Sequence, residues 1–189
     1  MFVGGWDLEA AEAVGAGESV KAKRVLDVLS ALVDKSLVAG ESEAGGALRY
    51  GMLEAVRQFG REELHESGEE PEIRRRHAEH YLALAETAEP ELLGADQGRW
   101  LRWLRTEFAN LREAHAWSLE PGEGEGRARL RLRLAAALWR FWAAQRFEEG
   151  KVWLQTSPER DSGGFPAVRA KALGALGFIL LSSKTTNGR

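Results

Sequence analysis

In one short segment of the chain the side chains alternate as in a pair of β-strands. On both sides of it, apolar residues repeat at helical spacing. The runs SLVAG (36–40) and ALRYGM (47–52) are partly β-branched or alternating, and the glycines and charges of ESEAGG (41–46) suit an exposed turn. Two strands alone are only marginally stable in water. The hairpin must therefore pack against helices, which restricts the chain to mostly α folds with one small hairpin.

An amphipathic helix precedes this hairpin. Apolar residues fall at i, i+4, i+7 and i+8 from Val25, which predicts a helix that ends near Lys35. Ahead of it, Asp7 can cap a shorter helix that starts at Leu8. A helix followed by a two-stranded wing is a derivative of the helix-turn-helix. Residues 1–66 are therefore predicted to form a winged-helix domain.

The rest of the chain has helical periodicity. Beyond residue 66 five helices are predicted, over about 73–88, 98–119, 127–145, 147–155 and 167–181. Within them LAAALWRFW (134–142) and AKALGALGF (170–178) superpose at an offset of 36 residues, close to the 34-residue period of tetratricopeptide arrays. We therefore expect a helical linker over 67–122 and tetratricopeptide-like repeats, cut short, over 123–189.

The net charge excludes a general attraction to nucleic acid or to an anionic membrane. Lys and Arg total 26 against 29 Asp and Glu, which gives a net charge of −3, so any DNA contact needs a local basic patch. The absence of cysteine excludes disulfides and thiolate metal sites and fits a reducing cytoplasm. No apolar run reaches the roughly 18 residues of a membrane span. We expect a cytoplasmic protein with no membrane contact.

Motifs for enzyme chemistry are missing from the sequence. There is no GxxxxGK[ST] phosphate loop and no GxSxG nucleophile motif, so neither autonomous nucleotide hydrolysis nor serine-hydrolase chemistry is expected. His77 and His80 lie i, i+3 on a predicted helix and would be the start of a metal site. A zinc site needs further ligands, and the neighbouring run 74–76 is all arginine and repels cations. We predict no catalytic residue, no metal site and no enzyme activity in this chain.

The helix before the wing is the candidate for DNA contact. Lys21, Lys23 and Arg24 near its start can bind phosphates. The same helix carries Asp27 and Asp34, and its middle, VLDVLSALV, is short of the Arg, Asn or Gln side chains that read bases. The sequence therefore favours a winged-helix fold kept without its DNA function, and a stand-alone winged-helix DNA-binding regulator is the alternative.

Six segments occur in an order that resembles a known family: FVGGWDLEAAEAV, VLDVLSALVDKSLV, LRYGMLEAVRQFGREEL, RRRHAEHYLALAE, TEFANLREAHAWSLE and LRLAAALWRFW followed by FEEGKVWL. They are similar to the region after the ATPase module in bacterial STAND-type signal-transduction ATPases, which include LuxR-type and SARP-type transcriptional regulators. The resemblance covers about residues 2–180. It implies a winged helix, a helical linker and a tetratricopeptide sensor array.

The resemblance also implies a mechanism and partners. Such proteins bind ADP or ATP in a P-loop module, which this chain lacks, so no cofactor is expected in this chain itself. The winged helix helps to hold the ADP-bound closed form, and a small-molecule inducer or a protein partner on the repeats favours the open form. This chain is then a non-catalytic segment that contacts a protein partner or its own ATPase domain and couples that domain to a repeat sensor.

Two sets of residues follow from the resemblance. Related proteins end the wing in Met-His-Asp, whose histidine reaches the nucleotide phosphate, and the matching positions here are Met52, Leu53 and Glu54, with Arg57 as a nearby charge. Leucine has no hydrogen-bond donor, so the preferred interpretation of Leu53 is an ordinary core residue. The second set is a partner surface on the concave side of the repeats, with the following members: Trp139, Trp142 and Arg146.

Overall fold

The computed structural model describes residues 2–17, 20–42, 48–121, 124–156 and 165–186, except the side chains of residues 124 and 182–186. Its helices are α1 (Leu8–Gly15), α2 (Val25–Asp34), α3 (Glu54–Glu66), α4 (Glu70–Glu91), α5 (Gln97–Thr106), α6 (Phe108–Leu119), α7 (Gly124–Ala137), α8 (Trp139–Gln145), α9 (Phe147–Thr156) and α10 (Pro166–Thr186). Strands β1 (Ala39–Ser42) and β2 (Leu48–Gly51) form an antiparallel hairpin. The predicted fold class, mostly α with one small hairpin, is confirmed.

The chain divides into two compact units. The first is Met1–Tyr81 with Thr106–Ala114, and the second is Leu82–Arg105 with His115–Arg189. These units follow spatial contacts, and the predicted division at residues 66 and 122 stays a prediction. Of the described helices, none combines the length and the apolar content that a membrane crossing requires.

The first unit begins with a winged-helix core. Asp7 caps α1 as expected, because its Oδ1 accepts a hydrogen bond from the Ala10 N–H at 2.8 Å. Trp6 pairs with Tyr50 of β2, so a short third segment extends the hairpin on the side away from β1. The hydrophobic core gathers on the helical side of this sheet, with these buried members: Trp6, Ala10, Ala11, Val25, Leu29, Val38 and Tyr50.

The first strand starts later than predicted. Ser36 has a positive φ of 57°, and the N–H groups of Leu37 and Val38 donate to the Leu32 carbonyl, so residues after α2 complete the helix end before the chain extends at Ala39. The expected turn ESEAGG falls mostly within 43–47, outside the described residues, while Glu41 and Ser42 belong to β1.

A buried carboxylate joins the wing to the helices of the first unit. Glu107, whose side chain is 3% exposed, accepts hydrogen bonds from Arg49 Nη1 at 2.5 Å, Asn110 Nδ2 at 2.9 Å and the Tyr81 hydroxyl at 3.1 Å. Arg49 also donates to the carbonyls of Gly4 and Gly5, both at 3.1 Å. Glu107 therefore connects β2, α4 and α6, and Arg49 connects the first residues of the chain to the same network.

The sequence predicts a single helix over 98–119, and this prediction is wrong because the structure has two helices there. The structure breaks that helix at Glu107, between α5 and α6, and the Glu107 carbonyl accepts from the Leu111 N–H to start α6. Burying a charged group is costly unless donors surround it. The interruption lets Glu107 meet its three donors, and periodicity on either side of one residue carries no sign of such a break.

The second unit also breaks a helix that the sequence predicts as continuous. The predicted helix 127–145 is two helices, α7 and α8, separated at Leu138. The fully buried Trp142 lies against Gly150, where an added Cβ would stand 2.3 Å from the Trp142 Cβ, and makes an edge contact with Trp153 at 4.8 Å. The first of the two similar segments, 134–142, therefore contains a break, whereas 170–178 lies within α10 alone.

Replacing the buried carboxylate by its amide tests the role of Glu107. We expect Glu107→Gln to lower the free energy of unfolding by about 2 kcal/mol, because the Arg49 guanidinium loses its charged partner in a largely buried setting. Urea unfolding followed by tryptophan fluorescence measures this. The control is Glu79→Gln, which removes an exposed i, i+4 pair with Arg75 and should cost no more than about 0.5 kcal/mol. Equal losses in the two variants would contradict the role given to Glu107.

Candidate functional site

The candidate DNA-contacting cations lie where the chain enters α2. Ala22–Arg24 form a 3₁₀ turn directly before the helix, and Lys21, Lys23 and Arg24 are all exposed. Within the part of the chain that the structure describes, none of the three has an ion-pair partner. Three unpaired cations at the start of a helix form a small patch that can neutralise phosphates. We call these three residues the basic entry.

The outer face of α2 has little to read bases with. Val25 and Leu29 point into the core, and Asp27, Asp34 and Ser30 are exposed. The Ser30 hydroxyl donates to the Leu26 carbonyl at 2.9 Å, so its hydrogen is already used. Carboxylates repel phosphates and can only accept hydrogen bonds, so they cannot serve the acceptor atoms of the bases. The helix therefore offers phosphate contacts at its start and few base contacts along its length.

The junction between the wing and α3 is arranged differently from the sequence interpretation. Leu53 is 72% exposed, so its assignment to the core is wrong. It occupies the position before the first turn of α3, where its extended backbone keeps the side chain off the helix. Met52 beside it is half-buried and packs on the winged-helix core.

The arginines near this junction already bind carboxylates. Arg57 Nε and Nη2 donate to both oxygens of Glu54, at 2.5 to 3.0 Å, and Arg49 binds Glu107. Both arginines line a groove of about 540 Å³ together with Gly4, Gly5 and Glu41. A nucleotide phosphate would have to displace these carboxylates and meet a third acid. The junction is therefore not preformed for phosphate in this structure.

An exposed apolar groove borders the junction. Val33, Leu37 and Leu53 are 36%, 38% and 72% exposed, and they line a groove of about 460 Å³ with Val38 and Met52. The sequence analysis missed this surface, because the helical spacing of Val33 placed it with the core stripe. The signal was that α2 carries three large apolar residues, Leu26, Val28 and Val33, beyond the i, i+4 and i+7 positions that face the core.

The two histidines that share a helix, His77 and His80, lie in a largely apolar setting. His77 is buried, and its ring contacts Phe2 and Tyr81 at centroid distances of 5.4 and 4.7 Å. Burial lowers the pKa of His77 to about 3 and also lowers the pKa of His80. Among the residues that the structure describes, no three His, Asp or Glu side chains come together as a metal site.

The predicted partner surface of the second unit is only partly accessible. Trp142 is fully buried and cannot touch a partner, which corrects that assignment. Trp139 is half-buried and makes an edge contact with Phe178 at 5.9 Å, and Arg146 lies 3.6 Å from Glu149. Gly150 leaves room for the Trp142 side chain against α9, which allows Trp142 to be buried. A partner role for Trp139 and Arg146 stays a prediction.

Comparison with known proteins adds a family match. Residues 1–65 match the family model described as a winged helix-turn-helix domain, in agreement with the arrangement of α1, α2 and the hairpin. Proteins of Mycobacterium bovis and Mycobacterium tuberculosis, each named "Putative HTH-type transcriptional regulator", are 38% identical over 177 residues, or 91% of this chain. An uncharacterized M. bovis protein is 41% identical over 81 residues, 42% of this chain and 20% of its own length.

The matched regulators are much longer than this chain. It spans 19% of the length of each of the two regulators. No solved structure matches the chain. The chain is thus similar to transcriptional regulators over nearly all its length and corresponds to about a fifth of theirs.

The buried histidines are expected to make stability depend on pH. Burial lowers the pKa of His77 to about 3 and that of His115 to about 4, whereas an unfolded histidine titrates near pH 6.5. Between those values the unfolded state binds more protons, so the free energy of unfolding should fall as the pH drops from 6.5 towards 4. Urea titrations at several pH values measure the slope, and His77→Leu should make it shallower.

Phe2→Leu is the matched control for this measurement. Phe2 packs on the His77 ring but does not titrate, so this variant should lower stability by a similar amount at every pH. A His77→Leu protein with the slope of the unmodified chain would show that His77 is not the source.

Proposed function

We propose that this chain is the winged-helix DNA-binding segment of a transcriptional regulator. The observation that carries the proposal is the basic entry, three exposed cations without ion-pair partners at the start of the helix that precedes the wing. The match of residues 1–65 to a winged helix-turn-helix domain and the names of the mycobacterial relatives support it.

The proposed contact is made mainly with the DNA backbone. Lys21, Lys23 and Arg24 bind phosphates, which places the start of α2 at the major groove. Asp27 and Asp34 limit how closely the rest of the helix approaches. Because α2 offers few base-reading donors, the chain by itself should discriminate weakly between sequences, and specificity in a longer protein would come from elsewhere.

A second function is supported by a different observation. The exposed groove of Val33, Leu37 and Leu53 is an apolar surface of the kind that a neighbouring protein domain covers. We propose as this second candidate that the chain is the coupling segment of a STAND-type ATPase regulator, which its sequence resembles. ATP or ADP would then sit in a separate module, and the helices of 123–189 would be the start of a tetratricopeptide sensor.

The second candidate has a mechanism and a direct test. A closed form with a nucleotide module on the groove would exchange with an open form, and an inducer or protein partner on the repeats would shift the populations. The test is the gene that encodes the chain. A reading frame for a P-loop module continuous with residue 1 would support this candidate, and its absence would count against it.

Neutralising the basic entry tests DNA binding. We expect the triple variant Lys21→Gln, Lys23→Gln, Arg24→Gln to weaken binding to a fluorescent 20-base-pair duplex at least tenfold at low salt. If each cation neutralises one phosphate, the slope of log affinity against log salt should become shallower by about 0.9 per cation lost. Fluorescence anisotropy across a salt series measures both quantities.

A second triple variant controls for net charge. Arg99→Gln, Arg102→Gln and Arg105→Gln remove three exposed positive charges from α5, far along the chain from the basic entry. This variant should keep most of the affinity and the salt slope. Equal losses in the two triple variants, or no binding by the unmodified chain at low salt, would contradict the DNA-binding proposal.

A further inference from the structure

An open-sided apolar pocket lies within the first unit, beneath the helix that carries the basic entry. It has a volume of about 250 Å³ and adjoins the grooves at the wing, with which it shares Met52. Its walls come from the chain start, α1, α2, the wing junction, α3 and α4. The members that carry the argument are Ala11, Val14, Val28, Leu29, Leu64 and Ile73.

The pocket exists because α3 does not close over the core. α3 has thirteen residues and none of them is buried. The core cluster reaches Met52 at the wing junction but includes no residue of α3. Protein interiors contain few voids larger than a water molecule. Val56 and Leu64 of α3 are only half-buried, so an open space remains between the close-packed cluster and this helix.

The size of the pocket suits a small organic molecule. A dry apolar cavity of about 150 Å³ can hold a benzene molecule, so about 250 Å³ has room for one or two aromatic rings. Val14 and Leu29 at its inner wall are 2% and 6% exposed, so a ligand would meet a desolvated surface there. Transfer of an apolar ligand from water to such a surface is favourable.

The residues that line the pocket favour neutral ligands over ions. Arg57 is the one ionisable side chain among the described residues that line it. The Arg57 Nε and Nη2 already donate to Glu54, so the charge of this guanidinium is balanced by a carboxylate. A carboxylate ligand would have to compete with Glu54 for that charge, while a neutral molecule need only contact the apolar stem.

We propose that this pocket binds a small, neutral, largely apolar molecule of one or two rings. The molecule lies between α2 and α3 and contacts the inner side of the helix that precedes the wing. This binding site does not depend on the proposed DNA contact, which uses exposed cations on the outside of the same region.

Toluene and benzoate are a matched pair of probes for this proposal. They share a ring and differ in a methyl against a carboxylate. We expect millimolar toluene to shift the ¹³C-methyl NMR resonances of Val14, Leu29 and Ile73, and benzoate to bind at least tenfold more weakly. In Glu54→Gln the Arg57 guanidinium loses its anion, so the affinity for benzoate should rise towards that for toluene.

Filling variants separate the pocket from other apolar surfaces. Val28→Phe and Ala11→Leu add bulk inside it, and each should weaken toluene binding at least tenfold. Val33→Phe adds the same bulk on the other flank of α2, in the groove at the wing junction, and should leave toluene binding unchanged. Methyl resonance dispersion without ligand reports whether each variant is folded, and either filling variant suffices for the test.

Three results would overturn the proposal. The first is a folded, unmodified chain whose pocket methyl resonances toluene does not shift. The second is undiminished toluene binding in a folded filling variant. The third, equal affinity for toluene and benzoate in the unmodified chain, would refute the neutral ligand class. DNA binding by the same sample is measured separately, so failure of one proposal does not decide the other.

Discussion

The first unit depends on the charge of one buried side chain, Glu107. An ionised carboxylate inside a protein is tolerated only where several donors replace its water, and here the donors come from β2, α4 and α6. Arg49 then extends the network to the carbonyls of Gly4 and Gly5. The position of the wing relative to the first residues of the chain is therefore set by polar geometry as well as by the apolar core.

The two ends of α2 present chemically different surfaces. The basic entry, at the start of α2, is exposed to solvent and positively charged. Val33 and Leu37, at the other end of the helix, are apolar and exposed. A polyanion suits the first surface and an apolar protein surface suits the second. The two surfaces lie at opposite ends of a ten-residue helix, so they share none of their residues. The two proposed functions are for this reason not mutually exclusive.

Sequence periodicity predicted α1, α2 and the hairpin, but it did not predict where two later helices are interrupted. α1, α2 and the hairpin follow from a capping Asp7, a regular apolar stripe and two short alternating runs. The breaks at Glu107 and Leu138 were not predictable in this way, because each interrupts a pattern by one residue for a reason that lies elsewhere in the fold. The exposure of Leu53 and the pocket under α2 are likewise properties of tertiary packing, which the spacing of apolar residues does not report. The basic entry, by contrast, is a local feature: its three cations are exposed, and their role in DNA contact stays a prediction.

The hydrogen bonds around Glu107 extend beyond the segment that matches the winged helix-turn-helix model. The winged helix-turn-helix match ends at residue 65, yet Arg49 finds its carboxylate 58 residues further on, and the Val3 N–H finds the Asn110 side chain 107 residues away. A polypeptide cut at the end of the match would lose the Glu107 carboxylate that binds Arg49 and the Asn110 oxygen that accepts from the Val3 N–H. If the winged helix was passed between proteins by recombination, it could have kept this network only by travelling with residues 106–114, so inheritance of the two parts should be linked.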